Sequence, residues 1–104
     1  MISYLKGKIL LKDSDYIILE TNGVGYKVFV PEMLFMQCKE GQEAFEVFCS
    51  LQIRKDETIE LYGLPSFDAL ELFEAFRDVS GIGPKAAMLL SSLGEPAKIR
   101  KAVN

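Results

Sequence analysis

Val79-Ser80-Gly81-Ile82-Gly83-Pro84-Lys85-Ala86-Ala87 is a Gly-x-Gly turn that opens a helix. Ahead of it, Phe67, Leu70, Phe73 and Phe76 recur every three residues and Val79 extends the series, which is the spacing of one helical face. Pro84 stands where a first helical residue belongs, because its missing N–H has no intrahelical partner there in any case. Gly94 is placed to end that second helix in a left-handed cap. The order is helix, tight glycine turn, helix: a helix-hairpin-helix, with helices expected over residues 66–78 and 84–93. Ser66 is a good N-cap, and Asp68 suits the positive end of the first helix. In the second helix Ala86, Ala87, Leu89, Leu90 and Leu93 are the residues expected to be buried. A third helix is expected from Pro96, with Ile99, Ala102 and Val103 apolar, and it reaches only about two turns by Asn104.

Outward from the turn, toward the N-terminus, the hydrophobic period changes from helical to two-residue alternation. Five strands are expected in residues 1–63. They cover residues 2–11, then 16–20 after the polar turn at 12–15, then 24–30 after the hairpin signal Asn22-Gly23, whose residues both tolerate positive φ. Val24, Tyr26, Val28 and Val30 share one face of the third strand, which Pro31 ends. Residues 32–38, with Met33, Leu34, Phe35 and Met36, form a connection expected to plug one end of the sheet and to fold as a short helix. Phe45, Val47, Cys49, Leu51 and Ile53 alternate through the fourth strand, and Ile59 and Leu61 mark the fifth. Five short strands in this length fit a five-stranded OB-type β barrel. Gly63-Leu64-Pro65-Ser66 breaks the alternation and is expected to link a barrel domain, 1–63, to a partial helix-hairpin-helix domain, 64–104.

Composition narrows the chemistry. The chain has 104 residues with 49% hydrophobic side chains, enough for one ordinary domain or two very small ones. No apolar run approaches the length that crosses a bilayer, and the first residues lack the apolar core of a signal peptide. A cytoplasmic protein without a membrane role is expected. There is no histidine, which removes every histidine-based triad or general base. Cys38 and Cys49 alone are too few for a structural zinc site, so no metal and no cofactor are expected. The net charge is −3, yet residues 81–104 carry Lys85, Lys98, Arg100 and Lys101 against Glu95 alone. The end that holds the glycine turn is locally basic.

A turn of this kind points backbone N–H groups outward at the positive end of a helix, where a phosphate can sit. Gly81-x-Gly83-x-x-Ala86 also matches a relaxed dinucleotide fingerprint. That motif must follow a strand and precede an acidic residue about twenty positions on, whereas here a helix precedes it and Arg100 and Lys101 follow. No P-loop spacing occurs. A plain helical hairpin stays open as the structural alternative, but the cation at Lys85 and the apolar Ile82 between the glycines favour a phosphate contact by Gly81, Ile82, Gly83 and Lys85. Such contacts read the backbone and not the bases, so binding is expected to be sequence-independent and salt-dependent. The tip joining the last two strands is Arg54-Lys55-Asp56-Glu57, four charged residues that must project into solvent. By itself it reads as a soluble loop.

The motifs together resemble the RuvA family of Holliday-junction-binding subunits of the bacterial RuvAB branch-migration machine. They are the N-terminal Met-Ile-x-Tyr-Leu-x-Gly-Lys, Asn22-Gly23-Val24-Gly25-Tyr26 with Val28 and Val30-Pro31, Arg54-x-Asp56, Leu61-Tyr62-Gly63 and the glycine turn. The resemblance runs through all 104 residues. It implies an OB barrel followed by the first of two helix-hairpin-helix motifs, and a non-catalytic role in holding four-way junction DNA. It implies a homotetramer, a RuvB ATPase partner bound through a third domain, and possible access for the RuvC resolvase. By the same likeness Arg54, Lys55, Asp56 and Glu57 form an acidic pin that helps separate strands, and Gly81, Ile82, Gly83 and Lys85 form the first phosphate clamp. Lys55 stands where the family usually has an acidic residue, which dilutes the pin's negative charge. The second motif and the RuvB-binding domain would lie after Asn104. Two other classes remain open at this point. A helix-hairpin-helix glycosylase would need a catalytic Asp or Lys beside a base pocket. A generic single-strand or structure-nonspecific binding module would need exposed aromatic platforms, for which only Tyr26 and Phe29 offer themselves, and both are expected to be core or interface.

Overall fold

The computed structural model describes residues 1–91. The Gly94 cap, Leu93 and the helix from Pro96 lie outside the described residues. The elements are β1 (Tyr4–Asp13), β2 (Tyr16–Thr21), β3 (Val24–Phe29), α1 (Glu32–Gln37), β4 (Phe45–Ile53), β5 (Ile59–Leu64), α2 (Phe67–Arg77) and α3 (Pro84–Ser91). The strands close into a barrel in the order β1-β2-β3-β5-β4. Every neighbouring pair is antiparallel except β3 and β5, which run parallel through Val28↔Leu61 and Phe29↔Tyr62. This is the expected OB-type barrel, followed by two helices.

Boundaries shift where tertiary packing overrides local signals. The polar turn expected at residues 12–15 contracts to Ser14-Asp15, because Lys12 pairs with Ile17 and Asp13 with Tyr16; β1 also carries a bulge, as Ile9 pairs with Leu19 and Leu11 with Ile18, so Leu10 has no residue opposite it. Gly63 and Leu64, expected in a linker, are the last residues of β5. Leu64 is buried against the helices, and that burial holds the strand in register beyond the glycine. α1 forms where the plug was expected, and its Leu34 joins the barrel core.

Two apolar cores share the same strands. Inside the barrel, Leu5, Ile9, Ile17, Leu19, Val28, Val47 and Leu61 are buried together. Outside it, Phe29, Tyr62 and Leu64 pack with Ala69, Leu70, Phe73, Ala87 and Met88 of the helices. Successive strand residues point to opposite faces, so Val28 and Leu61 serve one core and Phe29 and Tyr62 the other. Phe29 stacks on Tyr62 at 5.3 Å between centroids, and Tyr62 stacks on Phe73 at 5.9 Å. The barrel and the helical hairpin are thereby joined through aromatic rings.

Ser66 caps α2 by accepting the Ala69 N–H at 3.1 Å. Phe67, expected on the buried face, is 56% exposed and meets Phe48 edge-on at 6.2 Å instead. In α3 the buried residues are Ala87, Met88 and Ser91. Ala86 and Leu89, expected to be buried, are exposed. They lie three apart on the opposite stripe of the helix, because Ala87, Met88 and Ser91 already occupy the side that faces α2 and β5.

Two backbone features carry direct tests. A Cβ on Gly7 would lie 2.1 Å from the Glu20 carbonyl oxygen, so β1 can approach β2 only without a side chain there. Glu57 has φ of 68°, a left-handed conformation that closes the hairpin tip between β4 and β5. Gly7→Ala is expected to destabilise the chain by about 1–3 kcal/mol in urea unfolding, from overpacking against backbone. Gly25→Ala, which meets only the Ile18 side chain at 3.3 Å, is expected to cost less in the same experiment. Glu57→Gly is expected to raise stability, read as a higher denaturation midpoint, because the left-handed strain it relieves, about 1–2 kcal/mol, exceeds the roughly 0.5–1 kcal/mol of backbone entropy a glycine costs.

Candidate nucleic-acid interface

The glycine turn is built as the spacing predicts. α2 ends as the Asp78 N–H donates to the Glu74 carbonyl, and the Val79 and Ile82 N–H groups then donate to the Phe76 and Val79 carbonyls at 3.1 and 3.2 Å. Gly81 has φ of 87°, a left-handed conformation that favours glycine. The first hydrogen bond of α3 runs from the Ala87 N–H to the Gly83 carbonyl at 2.9 Å, which makes Gly83 the N-cap. Having no side chain, it cannot cap the amides of Lys85 and Ala86 as Ser66 caps α2. A Cβ on Gly83 would meet nothing within 4 Å among the described residues, so none of their atoms requires a glycine there. The space is open to a ligand.

Ile82 is tied into the turn from three sides. Its N–H is engaged inside the turn, its carbonyl accepts a hydrogen bond from Arg77 Nη1, and its side chain packs on the outer core. Arg77 also donates from Nε to Gln52 Oε1 at 2.9 Å, and Gln52 donates to Ser50 Oγ at 2.7 Å. The turn is thus tied to β4 through one guanidinium. Sequence reasoning missed Arg77, and nothing in a helical pattern marks a residue whose partners lie on another element.

The charged tip folds as a tight loop. The Arg54 N–H donates to the Thr58 carbonyl at 2.8 Å and the Glu57 N–H to the Arg54 carbonyl at 2.9 Å. The Thr58 N–H donates to Asp56 Oδ1 at 3.0 Å. Hydrogen bonds from Thr58, with Arg54 nearby, hold the Asp56 carboxyl below its ordinary range, so it is anionic at neutral pH. Arg54 Nη1 lies 3.4 Å from Glu60 Oε2, and Glu60 in turn accepts the Tyr62 hydroxyl at 2.8 Å. Burial and that carboxylate push the Tyr62 phenol well above its usual value and keep it a donor. Lys55 makes no ion pair among the described residues, so it stands at the tip as an exposed cation.

Tip and turn face each other. A cleft of about 870 Å³ is lined by residues 52–56, Glu60 and Tyr62 of the hairpin and by residues 77–86. All eight residues singled out from the sequence fall at or beside it, and all but Glu57 line it. Lys85 Nζ is 2.8 Å from Asp15 Oδ2 and 4.7 Å from the centre of the Phe29 ring. Its partner in this structure is therefore a carboxylate of the barrel. The cysteines offer no competing chemistry: both are buried and free, and burial pushes the Cys49 thiol up to about 12. Among the described residues no group of His, Cys, Asp and Glu is placed to hold a metal ion, and no helix is long and apolar enough to cross a membrane.

Comparison with known proteins agrees with this architecture. Residues 1–63 match the family described as the RuvA N terminal domain. The chain is 46% identical over 94 residues to the Holliday junction branch migration complex subunit RuvA of Halothermothrix orenii, covering 89% of this chain and 47% of that protein. It is 36% identical over 103 residues to the protein of the same name from Acetivibrio thermocellus, covering 99% of this chain and 50% of the relative. For the protein of that name from Clostridium beijerinckii the identity is 35% over 103 residues, covering 99% and 52%. The chain spans about half the length of these relatives. A closed five-stranded barrel, a helical hairpin on its outer face and a match over most of the barrel lead to one conclusion: the chain belongs to the RuvA family.

Proposed function

We propose that this chain binds four-way junction DNA and holds it for ATP-driven branch migration in homologous recombination and repair. The observation that carries this reading is the shared cleft, which sets a charged hairpin tip opposite an uncapped helix N-terminus. A duplex arm lies with a phosphate at the start of α3. There it receives the amides of Gly83, Lys85 and Ala86 and the Lys85 ammonium, with the helix dipole adding to the attraction. Gly81 and Ile82 shape that turn. Arg54, Lys55, Asp56 and Glu57 stand where strands would part. The Asp56 carboxylate repels phosphates and steers them outward, and Lys55 moderates the repulsion.

In this reading the barrel unit and the clamp unit divide at residues 63–64, the end of β5. The chain is non-catalytic and cytoplasmic. ATP hydrolysis belongs to a RuvB partner, which the relatives' name as subunits of a branch migration complex supports. RuvC acts on the same junction, and four copies assemble so that their tips meet at the crossover.

The test measures binding to a synthetic four-way junction, a duplex and a single strand across a salt series. The junction is expected to bind tightest, with the logarithm of the affinity falling linearly as log salt rises. Equal affinity for junction and duplex would overturn the junction reading and leave a generic OB and helix-hairpin-helix binding module. Lys85→Ala is expected to weaken junction binding about three- to tenfold, the size of one phosphate contact at modest salt. Gly83→Asp caps α3 with its own carboxylate and places a negative charge at the phosphate site. It is expected to leave thermal stability unchanged or raised by a few tenths of a kcal/mol while binding falls, a divergence that a folding defect does not produce.

A further inference from the structure

The partner of Lys85 lies 70 positions away in sequence, in the turn between β1 and β2. Asp15 Oδ2 accepts from Lys85 Nζ at 2.8 Å, with the two side chains 47% and 55% exposed. The seat is prepared from several sides. The Asp15 carbonyl accepts the Val30 N–H at 3.1 Å, which fixes the turn against the end of β3. The Phe29 ring beneath the ammonium is held by its stack on Tyr62, and Tyr16 packs edge-on against it at 5.9 Å. Lys27 covers the Tyr16 ring at 4.4 Å, so a second cation stands beside the same surface.

We propose that Asp15 is the internal counter-anion of the clamp, taking the Lys85 ammonium whenever no phosphate holds it and so setting the affinity and lifetime of each contact with DNA. This rests on the reading of Lys85 as a phosphate contact. An exposed carboxylate and ammonium attract each other only weakly, so a phosphate backed by the α3 amides displaces the carboxylate. Until that exchange, the Lys85 charge is cancelled at a distance and adds little to the pull on DNA. As the phosphate leaves, Asp15 recovers the ammonium and no bare cation remains. The clamp releases as readily as it grips, which suits a surface along which a duplex arm must slide.

The experiment compares the 104-residue chain with Asp15→Asn, Asp15→Glu, Lys85→Ala and the double variant Asp15→Asn with Lys85→Ala. Affinity for a synthetic four-way junction is read by fluorescence anisotropy across a salt series, and dissociation by stopped flow. Asp15→Asn is expected to bind about three- to tenfold tighter, chiefly through slower dissociation, with the salt dependence steeper by up to about one counterion. Asp15→Glu is expected to stay near the parent. In the Lys85→Ala background the asparagine is expected to change little. If Lys85→Ala weakens binding but Asp15→Asn leaves it unchanged or weaker, the role of Asp15 is overturned and the clamp stands. If Asp15→Asn tightens binding equally in both backgrounds, the carboxylate acts by general repulsion, which also overturns the proposal. If Lys85→Ala has no effect, or no variant binds, the reading of Lys85 falls and the role of Asp15 with it.

Discussion

The parallel contact between β3 and β5 is where this molecule is held together. Val28↔Leu61 closes the barrel, and Phe29↔Tyr62, one residue along, presents two stacked rings on which the helical hairpin docks. Burial on both faces of the same short pairing couples the two units: loosening the ladder would open one core and tilt the other. Gly63 belongs to the same constraint, since a Cβ there would lie 2.7 Å from the Val28 side chain. The helical hairpin therefore takes its position from the barrel, through aromatic contacts whose geometry is sensitive to ring offset and tilt.

The fold was legible because its signals are local. Asn22-Gly23 announces a hairpin, and φ of 51° and 85° at these residues matches the conformation such a turn demands. Alternation from Phe45 to Ile53 reproduces β4 without a shift of either end. Ser66 and Pro84 mark the helix starts within a residue. What stayed hidden depends on contacts distant in sequence. A bulge at Leu10 has no sequence signature in an unbroken apolar run, and Leu64 reads as linker beside a proline until the helices that bury it are in place. Burial on α3 was misjudged because five apolar residues cover more than one face of a helix. Only the neighbouring elements choose between them.

The candidate site was legible in its residues more than in its geometry. Gly81, Gly83 and Lys85 are marked by spacing, and residues 54–57 by charge at a tip. That tip and turn share one cleft follows from the helices docking on the closed barrel, which no local pattern encodes. Asp15 was visible only as part of a polar turn. Arg77 was one charge on a helix face. Both act across elements, as polar residues at interfaces often do: each satisfies a hydrogen-bonding group that the fold brings near.

Arg77 gives the cleft its gauge. Its guanidinium holds Gln52, two residues before the charged tip, and the Ile82 carbonyl at the centre of the glycine turn. Guanidinium nitrogens are fixed in one plane, so the two walls are spaced by a rigid fork and not by flexible chains. In the proposed function, parting strands and gripping their phosphates would then be calibrated to a common ruler. A force that pushes one wall aside would be felt at the other within a single side chain.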